Sequence, residues 1–158
     1  MDNMTKQLID QVQATQKQLT SLLKSVADDQ DWQSDPKEWS FRSVAAHLAT
    51  VDKECYQDRV VPIAAGGNPH FESYFNTGRD FSKLDLLDSL REWASTRQEI
   101  IEFVSRLPEE KFVLTGTHAA FGTLTVRGVL KLMLDHDQEH VEDLKKAINK
   151  YRLKPHGA

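Results

Sequence analysis

Apolar side chains recur every three or four positions through four long stretches of the chain, and the intervals between them are rich in turn formers. From Asn3 to Ala27, Met4, Leu8, Val12, Leu19, Leu22 and Val26 form one such stripe between Gln, Lys and Asp residues, which is the period of an amphipathic helix. The next segment, DDQDWQSDPKEW, carries Pro36 and reads as a loop across one end of a bundle. A second helix is predicted over about 40–61, with Ser40 as its cap and Trp39 and Val44 spaced for a hydrophobic staple. Its apolar face is Phe41, Val44, Leu48, Val51 and Cys55, and it should weaken near Pro62 and the Gly66-Gly67 pair.

Residues 64–82 show no period, and an aperiodic connection of that length is suited to covering a site. A third helix is expected over about 83–107, opening at Ser82 with Asp85 in the capping-box position and Phe81 facing Leu86. Its seam is Leu86, Leu90, Trp93, Ile100, Val104 and Leu107. Thr123 is the expected cap of a fourth helix over 123–150, with Val126, Val129, Met133, Leu144 and Tyr151 on its inner face. No segment alternates as a half-buried strand does, although Phe112 to Leu114 is suited to brief extension. Four such helices predict an all-α four-helix bundle in one domain over residues 1–158.

Composition narrows the function classes. The formal charge of -4 arises from 24 acidic and 20 basic side chains mixed along the chain, without a basic block that would follow phosphates, so no nucleic-acid partner is expected. There is no run of about 18 apolar residues and no signal-like start, which predicts a cytoplasmic protein without a membrane partner. Cys55 is the single cysteine, so a thiolate-based structural zinc site cannot be assembled.

The chemistry lies where the seams are broken. On the fourth helix the inner stripe runs Val129, Met133, His136, His140, Leu144, and two imidazoles four residues apart share a helical face. On the second helix His47 lies three residues after Val44 and four before Val51. Three inward imidazoles in an apolar bundle predict one divalent metal site, because each would otherwise need its own buried partner. Such a tripod of neutral nitrogen donors suits zinc, nickel or iron and leaves coordination positions open. The competing reading keeps the histidines as hydrogen-bonded core residues. In HDQEH, Asp137 stands where the metalloprotease pattern has a Glu base, which argues against a protease.

Other residues are weighed against blander roles. Glu54, Glu139 and Asp143 have spacings suited to hydrogen-bonding the far nitrogen of a ligating imidazole, against the alternative of solvated surface charge. Arg97 falls in the third seam and would either orient an anionic substrate or snorkel to the bundle edge. Cys55 reads as a small packing residue and not a nucleophile. His70, Tyr74 and Phe75 are placed to line a pocket mouth or to anchor their loop; His118 lies in the other long loop and His156 in the tail.

WSFRSVAAHLATVDKE with His47, and FGTLTVRGVLKLMLDHDQEHVEDLKKAI with His136 and His140, together with the order of the helices, resemble the DinB or YfiT-like superfamily over nearly the whole chain. The resemblance implies an up-down-down-up bundle, often a homodimer, in which His47, His136 and His140 bind a divalent ion, zinc or nickel first and iron or manganese next. It also implies a small-molecule substrate, since relatives include S-transferases and isomerases that use low-molecular-weight thiols such as bacillithiol and mycothiol. Catalytic residues beyond the metal ligands are not indicated. The alternative is a non-catalytic metal-binding or structural bundle. For a dimer interface, the apolar residues off the seams, Ile9, Leu23 and Leu87, are the candidates.

Overall fold

The computed structural model describes residues 1–154; His156 lies outside the described residues. Five α-helical segments make four bundle helices: α1 (Asn3–Lys24), α2 (Phe41–Val51) continued through a π turn (Asp52–Tyr56) into α3 (Gln57–Ala65), α4 (Leu86–Ser105) and α5 (Val126–Leu153). Each long helix begins on a side-chain cap that satisfies an otherwise unpaired amide. Asp2, Ser40, Asp85 and Thr125 accept from the backbone N–H of Thr5, Ser43, Asp88 and Gly128. The third helix therefore starts at Leu86 rather than near Ser82, with Asp85 as the cap itself, and Thr125 replaces the expected Thr123.

The helices run up-down-down-up. Arg127 near the start of α5 bonds Thr5 and Asp2 at the start of α1, while Tyr151 near the end of α5 bonds Asp29 just beyond α1, so α1 and α5 are parallel. Arg42 of α2 reaches the Leu84 carbonyl, and Gln57 of α3 reaches Glu99 of α4, so the second and third bundle helices are also parallel. Parallel neighbours cannot be joined by a tight turn, and residues 66–85 must travel back along the bundle. That journey carries the loop across the side of the molecule where His47 lies.

Three short strands, unforeseen because two or three residues cannot establish an alternation, tie the loops together: β1 (His70–Phe71), β2 (Gly116–His118) and β3 (Gly122–Leu124). β1 pairs parallel to β2, and β2 antiparallel to β3. The segment expected to be extended at Phe112 to Leu114 is instead largely a 3-10 turn over Glu109–Val113. A Cβ at Gly116 would lie 2.7 Å from the Phe71 ring and 3.1 Å from the Pro69 carbonyl, so the absence of a side chain there lets β1 lie close.

The apolar core is divided into two clusters. One gathers Val12, Val51, Ile63, Ile100, Val104, Leu130 and Met133; the other gathers Leu19, Leu23, Phe41, Leu48, Leu86, Trp93 and Leu144. Between them every bundle helix contributes polar side chains: Thr15 from α1, His47 and Asp52 from the second, Arg97 from α4, and His136, Asp137 and His140 from α5. The stripe on α1 is rotated from expectation: Met4 is exposed, while Ile9 and Leu23 are buried. Those two are taken up by the core and cannot form a dimer face; Leu87 remains exposed.

Candidate metal centre

His47 on α2 meets His136 and His140 on α5 at the polar layer. The His47 Nε2 lies 3.1 Å from the Nε2 of each of the other two, and one ligand atom from each of the three residues fits within a 4.8 Å cluster. Nitrogens bound tetrahedrally to one zinc at about 2.0–2.1 Å would be separated by about 3.3 Å, so the trio has the size of a ligand set. The expected convergence is present, from the three positions at which the apolar seams were interrupted.

The partners on the far side of the rings decide what can occupy that point. His47 Nδ1 lies 2.8 Å from Asn76 Oδ1, and the Asn76 amide nitrogen donates to the Tyr74 hydroxyl at 3.3 Å. The Asn76 oxygen therefore accepts, and the proton of His47 is on Nδ1. His136 Nδ1 lies 3.1 Å from Asp137 Oδ1, an acceptor when ionised, so its proton is on Nδ1 as well. Both Nε2 atoms thus present lone pairs to each other. A proton from His140 can bridge one of these contacts, and the contact between His47 and His136 is relieved by a second proton on one ring or by a cation held between them. A cation resolves that conflict, and the donor set fits a divalent metal ion. Burial, followed for His140 by the neighbouring His136, lowers the pKa of His47 and of His140 to about 4, which keeps both as neutral donors at ordinary pH.

The family model of the DinB superfamily matches residues 8–144. The chain belongs to the DinB superfamily. No curated protein matches it. A solved structure, YfiT from Bacillus subtilis, described as a probable metal-dependent hydrolase with an unusual four-helix bundle topology, superposes with a TM-score of 0.77 at 16% identity, covering 92% of this chain and 87% of that one. At that identity the likeness establishes the shared fold.

Around the histidines this DinB chain carries a buried polar network that the helical pattern did not announce. Asp137 accepts from His136 through one oxygen and from Arg97 through the other, at 2.9 Å; Arg97 in turn forks onto both oxygens of Asp52 at 2.7 and 2.9 Å. All three charged side chains are 1% exposed. Arg97 neither faces a substrate nor snorkels, because two carboxylates inside the bundle meet its charge. Burial opposes that charge, but Asp52 and Asp137 outweigh it and raise the Arg97 pKa; burial pushes the Asp52 carboxyl up against the pull of Arg97. The π turn inserts a residue in the second helix, so the adjacent pairs Val51 and Asp52, then Cys55 and Tyr56, are buried together.

The carboxylates expected behind the imidazoles are differently employed. Glu54 is separated from the imidazole by two residues: it accepts from the Tyr74 hydroxyl at 2.9 Å and is gripped by Arg79 at 2.7 and 2.8 Å, while Tyr74 connects through Asn76 to His47. Glu139 and Asp143 are exposed and bond no imidazole among the described residues. Asn76, only 5% exposed, is a loop residue without any periodic signal. Trp39, expected as a staple, lies against the His47 ring with centroids 4.4 Å apart.

A cavity of about 430 Å³ opens beside His47 and His136, walled by Val51, Cys55, Tyr56, Tyr74, Phe75, His118, Phe121 and Leu132. Tyr74 and Phe75 line it as expected. His70 does not; it is exposed and paired with Glu72 at 3.0 Å. Burial pushes the Cys55 thiol up to about 11, which keeps it protonated and agrees with a packing role. Tyr56 packs edge-on to His136, with its phenol pKa raised by burial.

Proposed function

We propose that this DinB-superfamily protein is a metal-dependent transferase in which His47, His136 and His140 hold one divalent ion, zinc or nickel before iron or manganese, and a low-molecular-weight thiol, giving up its proton to solvent, displaces a leaving group such as halide from an electrophilic carbon in the adjoining cavity. The observation that carries the metal reading is the convergence of three imidazoles, with His47 Nε2 3.1 Å from the Nε2 of His136 and of His140 while Asn76 and Asp137 meet the opposite nitrogens of His47 and His136. The thiol as nucleophile follows the family resemblance. A divalent ion in this position would lower the pKa of a bound thiol or water and so supply a nucleophile near neutral pH.

The chain's own residues bind and orient. Asn76 and Asp137 fix the two ring orientations, and Arg97 and Asp52 hold Asp137 in place. The walls of Val51, Tyr56 and Leu132 offer an apolar surface to a substrate, and the protonated Tyr56 hydroxyl is a donor for a group developing charge beside His136. We also take the protein to be cytoplasmic and a homodimer; no helix among the described residues is long and apolar enough to cross a membrane. Hydrolysis is the second reading, favoured by the description of the structurally similar YfiT.

The test is turnover of a haloaryl electrophile by the zinc- or nickel-loaded protein with a panel of thiols, bacillithiol included, beside a His136→Ala variant. Thiol-dependent product that vanishes in the variant is the expected result. Product formed from water alone would move the assignment to hydrolysis, and rates unaffected by metal removal would exclude both.

A further inference from the structure

Among the described residues, Arg59 is a buried cation without a counter-ion. It is 7% exposed, it lines the same cavity as the histidines, and no carboxylate lies within ion-pair distance of it among the described residues. Among the described residues its guanidinium makes one hydrogen bond, to the Glu72 carbonyl at 3.0 Å, and it lies over the Phe71 ring, 5.7 Å from the centroid. The support is built in: Phe71 occupies the space that a side chain at residue 116 would fill. Arg97, by contrast, is met by two carboxylates. A guanidinium removed from water with most of its donors unused is costly unless something else satisfies it.

The neighbouring His118 points the same way. Its Nδ1 accepts from the backbone N–H of Ala120 and of Phe121, at 2.9 and 3.1 Å, so its remaining proton is on Nε2, a second donor in the wall of the cavity. The opposite end is different. Asp135 and Glu139, beside His136 on α5, line the cavity there, with Asp135 tied to Lys131. Arg59 follows His47 by twelve residues on the same helical run, roughly three turns. The cavity is therefore polarised along its length, with donors at the Arg59 end and acceptors near the histidines.

We propose that Arg59, assisted by His118, anchors the anionic group of an elongated and largely apolar organic acid whose other end reaches the three-histidine centre. The inference rests on the cavity being the substrate site of the proposed enzyme, but its test does not depend on turnover. Full-length protein, metal-depleted and zinc-loaded, is titrated with 6-phenylhexanoate and with its neutral amide. Binding is read by calorimetry and by the Arg Nε–H resonance that disappears in Arg59→Gln and Arg59→Lys. The carboxylate should bind at least about tenfold more tightly than the amide in both metal states and shift that resonance. Arg59→Gln should abolish the preference, and Arg59→Lys should retain part of it.

Equal affinities, no binding of the carboxylate, or a preference surviving in Arg59→Gln would overturn the proposal. If Arg59→Gln does not fold, the parent protein and Arg59→Lys decide it through the resonance and the carboxylate-to-amide ratio. Loss of metal binding with the preference intact would sink the metalloenzyme reading alone; metal binding without the preference would sink only the anchor.

Discussion

The two apolar halves of the bundle and the polar layer between them are built on opposite principles. In the halves, side chains such as Leu19, Trp93, Leu130 and Met133 are fully buried, and stability comes from area removed from water and from close packing. In the layer, two carboxylates and one guanidinium are buried beside three half-buried imidazoles, at a desolvation cost that apolar side chains of the same volume would avoid. A fold that only needed to be stable would continue Leu and Ile through that level. The layer instead brings His47, His136 and His140 to one point, with Asp137, Arg97 and Asp52 behind His136.

The sharpest way to break the contrast is Arg97→Met, which strands Asp52 and Asp137 as unpaired buried charges. We expect a loss of about 3–5 kcal/mol in chemical denaturation. The triple change Asp52→Leu, Arg97→Met, Asp137→Leu should recover most of that loss while weakening metal binding, since it makes the layer resemble the halves. If the triple variant were no more stable than Arg97→Met, the layer would be supporting the fold by something other than the pairing of its charges. Next in size is Leu130→Ala in the first apolar cluster, expected to cost about 2–5 kcal/mol by opening a cavity, with metal affinity in the folded protein unchanged.

Asp137→Asn keeps the shape but weakens the acceptor behind His136. Metal affinity should fall about 10–100-fold, measured by competition with a chromophoric chelator. The smallest effect is that of pH on the metal-free protein. His47 and His140 have folded-state pKa values of about 4 against 6.5 when unfolded, so between those values the unfolded chain binds more protons. Their contribution is fully present above about pH 6.5 and is lost as the pH falls towards 4. The raised pKa of Asp52 acts in the opposite sense from 3.8 upward. The histidine part is therefore read as the difference between the parent and the triple-histidine variant in melts across that range, and identical pH profiles would contradict it.

The same division explains what could be read from residue order. Apolar halves advertise themselves through the three-four period, which is why the four helices and most of their seams were legible, although on α1 the choice between neighbouring faces went astray at Met4 and Ile9. His47, His136 and His140 were legible because each interrupts a seam. Arg97 also interrupts one, but its partners did not signal themselves. Asp52 directly follows a seam residue, Val51, and is turned inward by the π turn, a local change of period that no composition marks. Asp137 sits next to a ligand candidate, at the position of the base in the metalloprotease pattern, and nothing in its spacing marks it as a support for His136. Asn76 and Arg59 owe their roles to a long connection folded back along the bundle, a consequence of up-down-down-up topology rather than of any nearby residue.

Metal stoichiometry decides whether the three histidines form one site. Untagged protein, stripped of metal and then titrated with zinc and with nickel in a calorimeter, should bind one ion per chain, and the His47→Ala, His136→Ala, His140→Ala variant should bind none while remaining helical. An untagged parent that takes up no ion, or a triple variant that binds as the parent does, would contradict the account.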